Sequence, residues 1–538
     1  MKRKLAFLWN CIRRDRKHLC HLLLIGICDI GLALLIVGIT KHLIDVASGN
    51  SVGVLWKQIT LLLACMLLSV LLRGLFSRYT VWLHNELRNR LVEHFFTLLL
   101  RARWLDMKKF HSGDIMSRME QDTDGVVNLL VVSFPQFVLT FLKLCGALVY
   151  LYIMDGRLAV VLAVLVPVVL LLSKLYFKKM RSFSRLLKKQ WSEVCQFFQE
   201  IVQNREVMKA LMAEPACDCK LSHLQVGFTH TVNLQNRFAF YSNLVVMLGF
   251  VVGYLITFSW GLYRLENGTL TFGALMAFLQ LVTMIQGPSL GLAQLVPGII
   301  VSYTAIERLK ELEDLQMETP CRFSLFKGVE SIEFRNVSFR YRDGKALLNE
   351  LNWSFERGKM YALTGRTGCG KTTILRLLLG FINPDTGSIH INGNGRQTNI
   401  DAGTRINFAY VPQDYALLSG SIRDNLNWGK PQVTDKELID VLEQAGADFV
   451  FGLPKGLDTR LNERGEGLSG GQMQRLAIAR ALLAPGEVLL LDEFTSALDS
   501  DTERMIIALL KKQVEHRIII IVSHKRAVMD ACDCVYQL

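Results

Sequence analysis

Gly365-Arg366-Thr367-Gly368-Cys369-Gly370-Lys371-Thr372 is a glycine-rich turn between a strand-like run, Met360 to Leu363, and a helical pattern, Lys371 to Leu379. In that setting glycines let backbone N–H groups close around phosphate oxygens at a helix N-terminus, where the dipole favours anions. Lys371 is placed to neutralise β and γ phosphates, and Thr372 to hold Mg²⁺. A second element supplies acid. The apolar run Val488 to Leu491 delivers Asp492 and Glu493 at its C-terminal end, where ligands bind in open α/β sheets. Asp492 suits a Mg²⁺-linked position, and Glu493 suits polarising an attacking water. Taken alone, the two acids also fit a solvated turn. Leu468-Ser469-Gly470-Gly471-Gln472, before a helical pattern that reaches Leu483, makes another anion-binding terminus, or equally a flexible linker when read by itself.

These segments need a frame, and the pattern supplies one. Glu487 to Leu491 and Arg517 to Val522 are short β-rich apolar runs alternating with helical patterns, which implies a largely parallel, buried sheet. Before residue 305 the composition differs sharply. Six apolar stretches, Leu22–Thr40, Ile59–Leu75, Val131–Met154, Leu158–Leu175, Leu244–Tyr263 and Phe272–Ile300, are each near the ~20 residues that cross a bilayer as a helix. One such stretch fits a buried soluble helix; six in series do not. The whole chain of 538 residues is 51% apolar and 20% charged, too greasy for a surface entirely in water and too regular for disorder. The first apolar run is long enough to stay in the membrane, with no removable signal before it. Twelve cysteines without regular spacing argue for reduced thiols, and Cys217-Asp218-Cys219 and Cys532-Asp533-Cys534 lack the spacing of a zinc site.

The formal charge is +13, and its distribution explains it. Lysines and arginines crowd the N-terminus and the long connections 76–130 and 176–240, while the other connections are short and poor in basic residues, as in Asp155-Gly156-Arg157. The positive-inside rule puts the N-terminus, both long connections and the C-terminal half in the cytoplasm. No basic cluster is interleaved with stacking aromatics, so nucleic acid is not an expected partner. Leu87, Leu91, Phe95 and Leu98 recur at helical spacing, which carries the second span ~25 residues, about 37 Å, beyond the membrane.

Taken in order, these motifs resemble the ATP-binding cassette (ABC) transporter family, specifically half-transporters of the exporter type, over nearly the whole chain. The resemblance implies an α-helical six-span transmembrane domain, residues 1–315, a linker, 316–330, and an α/β P-loop ATPase domain, 331–538. It implies ATP and Mg²⁺ as ligands. By resemblance the nucleotide contacts are Tyr341, stacking on adenine, Gly365, Arg366, Thr367, Gly368, Cys369, Gly370, Lys371, Thr372 and Thr373, with Ser469, Gly470, Gly471 and Gln472 of the signature and Asp499 at a dimer contact. Glu493, His524 and Gln413 are the catalytic set, and Thr372, Gln413 and Asp492 the Mg²⁺ set, the last through water. Phe110 to Arg118 and Glu200 to Glu214 are similar to the family's two coupling segments, Gly268 to Gly273 to the start of the sixth span, and Glu463-Arg464-Gly465 to its cross-talk segment. The chain stops at Leu538, soon after His524, where most relatives carry a further strand pair and helix, and no peptidase-like domain precedes the first span.

In this family ATP lies between the phosphate loop of one ATPase domain and the signature of another, so a second chain is expected, a homodimer first and a heterodimer second. The expected activity is ATP-driven export of an amphipathic small molecule, lipid or peptide across the plasma or inner membrane. An importer on the same fold, or an ATP-gated channel or regulatory subunit, is the alternative. Asp29 in the first span and Lys143 in the third are costly in lipid and belong in the bundle interior or a cavity, where Asp29 fits either a cationic cargo or a structural pair. Cys369 reads as a small filler or a thiol open to reagents.

Overall fold

The structure, a computed structural model, describes residues 2–319, 323–341, 346–414, 417–428, 433–462, 465 and 467–538, with the backbone but not the side chains of residues 2–5, 165–178, 181, 242, 290, 293–294, 296–297 and 300–301. Of the Glu463-Arg464-Gly465 segment, only Gly465 lies among them. The chain forms two compact units, 1–98 with 112–314, and 99–111 with 315–538.

The first unit is helical: α1 (Lys2–Ile12), α2 (Arg16–Ala47), α3 (Leu55–Arg101), α4 (Trp104–Met107, which belongs to the second unit), α5 (Ser112–Ser117), α6 (Thr123–Asn128), α7 (Phe134–Met154), α8 (Gly156–Gln203), α9 (Arg205–Ala210), α10 (Glu214–Glu266) and α11 (Phe272–Glu313). Two single-turn π segments, Arg118–Asp122 and Leu129–Ser133, join α5, α6 and α7 into one continuous run. Among the described residues five helical segments are long and apolar enough to cross a membrane, in Arg16–Ala47, Leu55–Arg101, Ser112–Met154, Glu214–Glu266 and Phe272–Ser289. The stretch Leu158–Leu175 lies on α8, most of its side chains outside the described set. At 47 residues, α3 is roughly 70 Å long, as its continued apolar spacing requires.

Glycines fix how the helices approach. A Cβ on Gly26 would lie 2.3 Å from Leu139, one on Gly146 2.9 Å from Leu34, and one on Gly38 2.9 Å from the Tyr150 hydroxyl. The offsets between these pairs are nearly constant, so α2 and α7 run side by side in the same direction. Small residues of this kind permit close helix packing in lipid, where the hydrophobic effect gives no drive. Val37, Leu144, Leu151, Leu162, Phe278 and Leu281 bury the seam between α2, α7, α8 and α11.

Asp29 has a partner within the bundle. Its carboxylate accepts from Ser69 Oγ at 2.6 Å and from Arg73 Nε at 3.2 Å, both on α3. The structural-pair reading of Asp29 therefore holds over the free anionic cargo site. Asp155 is likewise enclosed, accepting from Trp260 Nε1 at 3.0 Å and Arg264 Nη1 at 3.1 Å while it caps α8.

The second unit contains β1 (Val329–Phe339), β2 (Leu348–Leu351), β3 (Ser354–Glu356), β4 (Met360–Thr364), α12 (Lys371–Leu378), β5 (Thr386–Gly393), β6 (Arg396–Asn399), β7 (Phe408–Val411), β8 (Gly420–Ser421), α13 (Ile422–Asn427), α14 (Asp435–Gln444), β9 (Arg460–Leu461), α15 (Gly470–Leu482), β10 (Val488–Asp492), α16 (Ser500–Gln513), β11 (Ile518–Val522), α17 (Arg526–Met529) and β12 (Cys534–Gln537). Strands β12-β4-β11-β10-β7 form a wholly parallel sheet. Its runs are apolar on both faces because alternate residues enter two different cores. Leu489, Leu491, Ile519 and Ile521 pack with α14, α15 and α16, while Val488, Leu490, Ile518 and Ile520 pack with α12 and β1. The antiparallel sheet β2-β1-β5-β6, with β3 on β1, departs from the expected largely parallel architecture. Its strands are half polar, since one face is solvated, and so lack the apolar runs that mark the central strands.

Candidate nucleotide site

The parallel register decides where the chemistry lies. Val522 pairs with Leu363 and with Asp492, and Val411 with Leu491, so β4, β11, β10 and β7 end nearly level. The segments after them, 365–370, 493, 523–525 and 412–413, therefore share the C-terminal edge of one sheet, where open α/β sheets bind ligands.

Gly365, Gly368 and Gly370 have φ of 147°, 84° and 115°, values that L side chains rarely adopt. A Cβ on Gly365 would also meet the Leu538 carbonyl oxygen at 2.8 Å, so the turn admits only glycine there. Lys371 is buried at the start of α12, and its ammonium donates to the carbonyls of Gly365 at 2.8 Å and Arg366 at 3.1 Å. The loop is thus wrapped around its own cation, and those carbonyls stand where phosphate oxygens would compete for it. Cys369 is half-buried beneath the same turn, its Sγ 2.8 Å from where a Gly365 Cβ would lie.

The acidic pair divides into two environments. Asp492 is buried beneath the loop, and burial first, then the Glu493 carboxylate, pushes its pKa up to about 6 against the pull of a Thr372 hydrogen bond, Arg376 and Lys371. Glu493 lies one residue beyond the strand in the left-handed region, φ 47°, and its N–H donates to Val522 O at 3.0 Å. A non-glycine residue there costs on the order of 1 kcal/mol or more, a strain typical of functional positions. Its carboxylate accepts from Gln413 Nε2 at 2.8 Å. His524 lies exposed in the turn after β11, and the Ser523 hydroxyl beside it accepts the N–H of Lys525.

Ser469 caps α15. Its hydroxyl accepts the Gln472 N–H at 3.2 Å while Gln472 Oε1 accepts the Ser469 N–H at 2.8 Å. A Cβ on Gly471 would lie 2.9 Å from Ala497 O, which is why the turn before Asp499 can close on this helix. Asp499 in turn caps α16 through Thr502, which holds its carboxyl below the usual range. Among the described residues no hydrogen bond or ion pair joins Ser469–Gln472 to the 365–373 loop. The predicted loop, acids, Gln413 and His524 share one edge, and Ser469–Gln472 lies at the start of a separate helix.

Tyr341 is held from two sides. Its hydroxyl accepts from Arg376 Nη1 at 3.2 Å and lies 3.3 Å from Thr373 Oγ1, and Lys108 Nζ sits 5.6 Å from its ring centre. Arg376 also lies 4.6 Å over the Trp104 ring, which stacks on Phe381. Trp104 and Lys108 come from the connection 99–111, which packs within the second unit and whose residues 102 and 103 bond to 316–317. Sequence reading assigned the first coupling segment to Phe110–Arg118 and missed this aromatic and cationic stack upstream. The signal was a lone Trp104 amid basic residues, unreadable without knowing that Arg376 faces it.

Comparison with known proteins agrees with this geometry. Residues 19–289 match the ABC transporter transmembrane region and residues 348–496 the ABC transporter family. The chain belongs to the ABC transporter family. Its relatives include the ABC transporter ATP-binding protein y4gM of Sinorhizobium fredii, 29% identical over 83% of this chain and 76% of that one. A multidrug resistance ABC transporter ATP-binding and permease protein of Lactococcus lactis is 28% identical over 87% and 79%. In fold the chain is similar to a bacterial Atm1-family ABC exporter with ATP bound, with a TM-score of 0.81 at 23% identity, covering 98% of this chain and 93% of that one. It is an integral membrane protein of exporter type whose ATPase domain couples ATP hydrolysis to transport.

Proposed function

We propose that two copies of this chain form an exporter that moves an amphipathic substrate by alternating access, with ATP bound between the loop of one copy and the signature of the other. The observation that carries the reading is the capped N-terminus at Ser469–Gln472, an anion-binding helix end that among the described residues makes no hydrogen bond or ion pair with the phosphate loop of its own chain. A second copy supplies that loop. The basic N-terminus and long connections support a cytoplasmic ATPase domain.

Thr372, the Asp492 carboxylate and the Gln413 amide form an oxygen donor set that fits Mg²⁺, and the burial of Asp492, only partly offset by Thr372, Arg376 and Lys371, favours a cation beside it. When bound, Mg²⁺ would neutralise charge on the phosphates. Lys371 exchanges its carbonyl partners for β and γ phosphate oxygens. Tyr341 stacks on the adenine, and His524 contacts the γ-phosphate. Glu493, oriented by Gln413, accepts the proton of the attacking water as the bond to the γ-phosphorus forms and the ADP oxygen leaves, giving ADP and phosphate. Hydrolysis removes the contacts that hold two domains closed, and the coupling segments transmit opening to the spans.

The test is ATP hydrolysis by the purified chain in lipid nanodiscs. Glu493→Gln should retain ATP binding and lose at least ~100-fold in turnover, the scale of a lost general base. Near-normal turnover would overturn the assignment.

A further inference from the structure

Two short connections carry Glu493 and His524. Strands β10 and β11 pair in parallel, Asp492 beside Val522, and each hands the chain to a connection, 493–499 before α16 and 523–525 before α17. Glu493 opens the first and His524 lies in the second, so their separation depends on how the two segments are held together. At the strand ends the Glu493 N–H donates to Val522 O at 3.0 Å. Beyond that point the link passes to a side chain.

The Lys525 ammonium donates to the Thr495 carbonyl at 2.7 Å and to Glu503 Oε2 at 2.6 Å. Its backbone is fixed as well: the Lys525 N–H donates to Ser523 Oγ at 3.1 Å, and the buried Ser523 donates its own N–H to Leu363 O. Thr495 is buried two residues after Glu493, and Glu503 is buried in the first turn of α16, the helix that Asp499 caps. Among the described residues Lys525 is the only cation paired with Glu503, whose Oε1 has no hydrogen-bond partner. A charge-assisted bond to a buried carboxylate holds the lysine where an exposed pair would leave it free. One ammonium thus joins the His524 connection to the Glu493 connection and to the helix that follows it.

We propose that Lys525 is a positioning residue for ATP hydrolysis, a clamp that sets the distance between His524, the γ-phosphate contact, and Glu493, the base. The inference rests on the roles given above to those two residues and adds the group that keeps them in register. Lys525 acts through its neighbours, because its ammonium is directed at protein oxygens. Releasing it leaves the phosphate loop and Tyr341 untouched, so nucleotide still binds while the groups that attack and receive the γ-phosphate drift apart. A misplacement of about 1 Å between such groups costs on the order of 100-fold in rate.

The test is steady-state ATP hydrolysis by the full chain in lipid nanodiscs, with kcat and KM read separately. Lys525→Met should lower kcat at least ~10-fold and keep KM for ATP within ~3-fold, the mark of an interaction felt in the transition state and not in nucleotide binding. That variant also strands the Glu503 carboxylate, so a second one, Lys525→Met combined with Glu503→Met, removes the buried charge together with its partner. Its kcat should stay as low as that of Lys525→Met. Recovery of kcat in the double variant would show that Lys525 serves only to neutralise Glu503 and would overturn the proposal. Wild-type kcat in Lys525→Met, or a rise in KM that accounts for the whole loss, would overturn it too. Glu493→Gln in the same discs separates the two readings. If it is silent and the double variant recovers, only the clamp fails; if Glu493→Gln hydrolyses like wild type, the assignment of the base fails instead.

Discussion

Asp492→Asn should change the pH dependence of stability in the nucleotide-free protein. Burial and the adjacent Glu493 raise the Asp492 pKa from the 3.8 of an unperturbed aspartate to about 6. Between those values the folded state binds the proton that the unfolded state has released, so stability falls as pH rises through this window. The cost is absent below 3.8 and complete above about 6, where it amounts to about 3 kcal/mol. At pH 5 it is about 1.6 kcal/mol, so about 1.4 kcal/mol appears between pH 5 and pH 8. Asparagine carries no such charge. The gap in unfolding midpoint between Asp492→Asn and wild type should therefore widen by roughly 3–6 °C across that interval. Scanning fluorimetry of the purified full chain without nucleotide measures it. A gap that stays constant with pH would refute the argument that Asp492 is held charged at a cost, and with it the case for a cation at that position.

Glu493→Gly should relieve the left-handed backbone and raise the unfolding midpoint of the ATPase domain while removing hydrolysis, a stabilised but inactive variant, read by fluorimetry beside phosphate release. Tyr341→Ala should weaken ATP binding about 5–10-fold and Tyr341→Trp should not, the worth of an aromatic stack, measured by titration with a fluorescent nucleotide. Trp104→Ala removes the ring that Arg376 covers and Phe381 stacks on, and should lower the ATPase midpoint by the equivalent of about 1–3 kcal/mol. Arg118 is buried and bonded to Asp114, Glu311 and the Arg308 carbonyl, so Arg118→Met should cost about 3 kcal/mol in the membrane unit and leave isolated nucleotide affinity unchanged.

The nucleotide edge was legible because its residues lie within contiguous motifs whose local geometry is set by glycine and by strand ends. Gly365 to Thr372 and Asp492-Glu493 each carry their own turn. The spans were legible for a similar reason, since hydrocarbon demands an uninterrupted apolar helix. The antiparallel sheet was not, because β1 and β5 alternate polar and apolar residues like many surface segments. The Trp104–Arg376–Tyr341 stack joins positions 104, 376 and 341, and no local period can reveal such a contact. Asp29 was readable as a charge out of place, but its partner Arg73 lies on another helix, 44 residues away.

Complementation between two inactive variants tests the central claim most directly. Lys371→Ala disables the loop and Ser469→Arg the signature, and each homodimer should hydrolyse ATP at background. Co-expressed and purified through separate tags as a mixed dimer, they should form one doubly impaired site and one intact site, and hydrolysis should return to a substantial fraction of wild type. A mixed dimer as silent as its parents, while wild type remains active, would contradict a site shared between two copies.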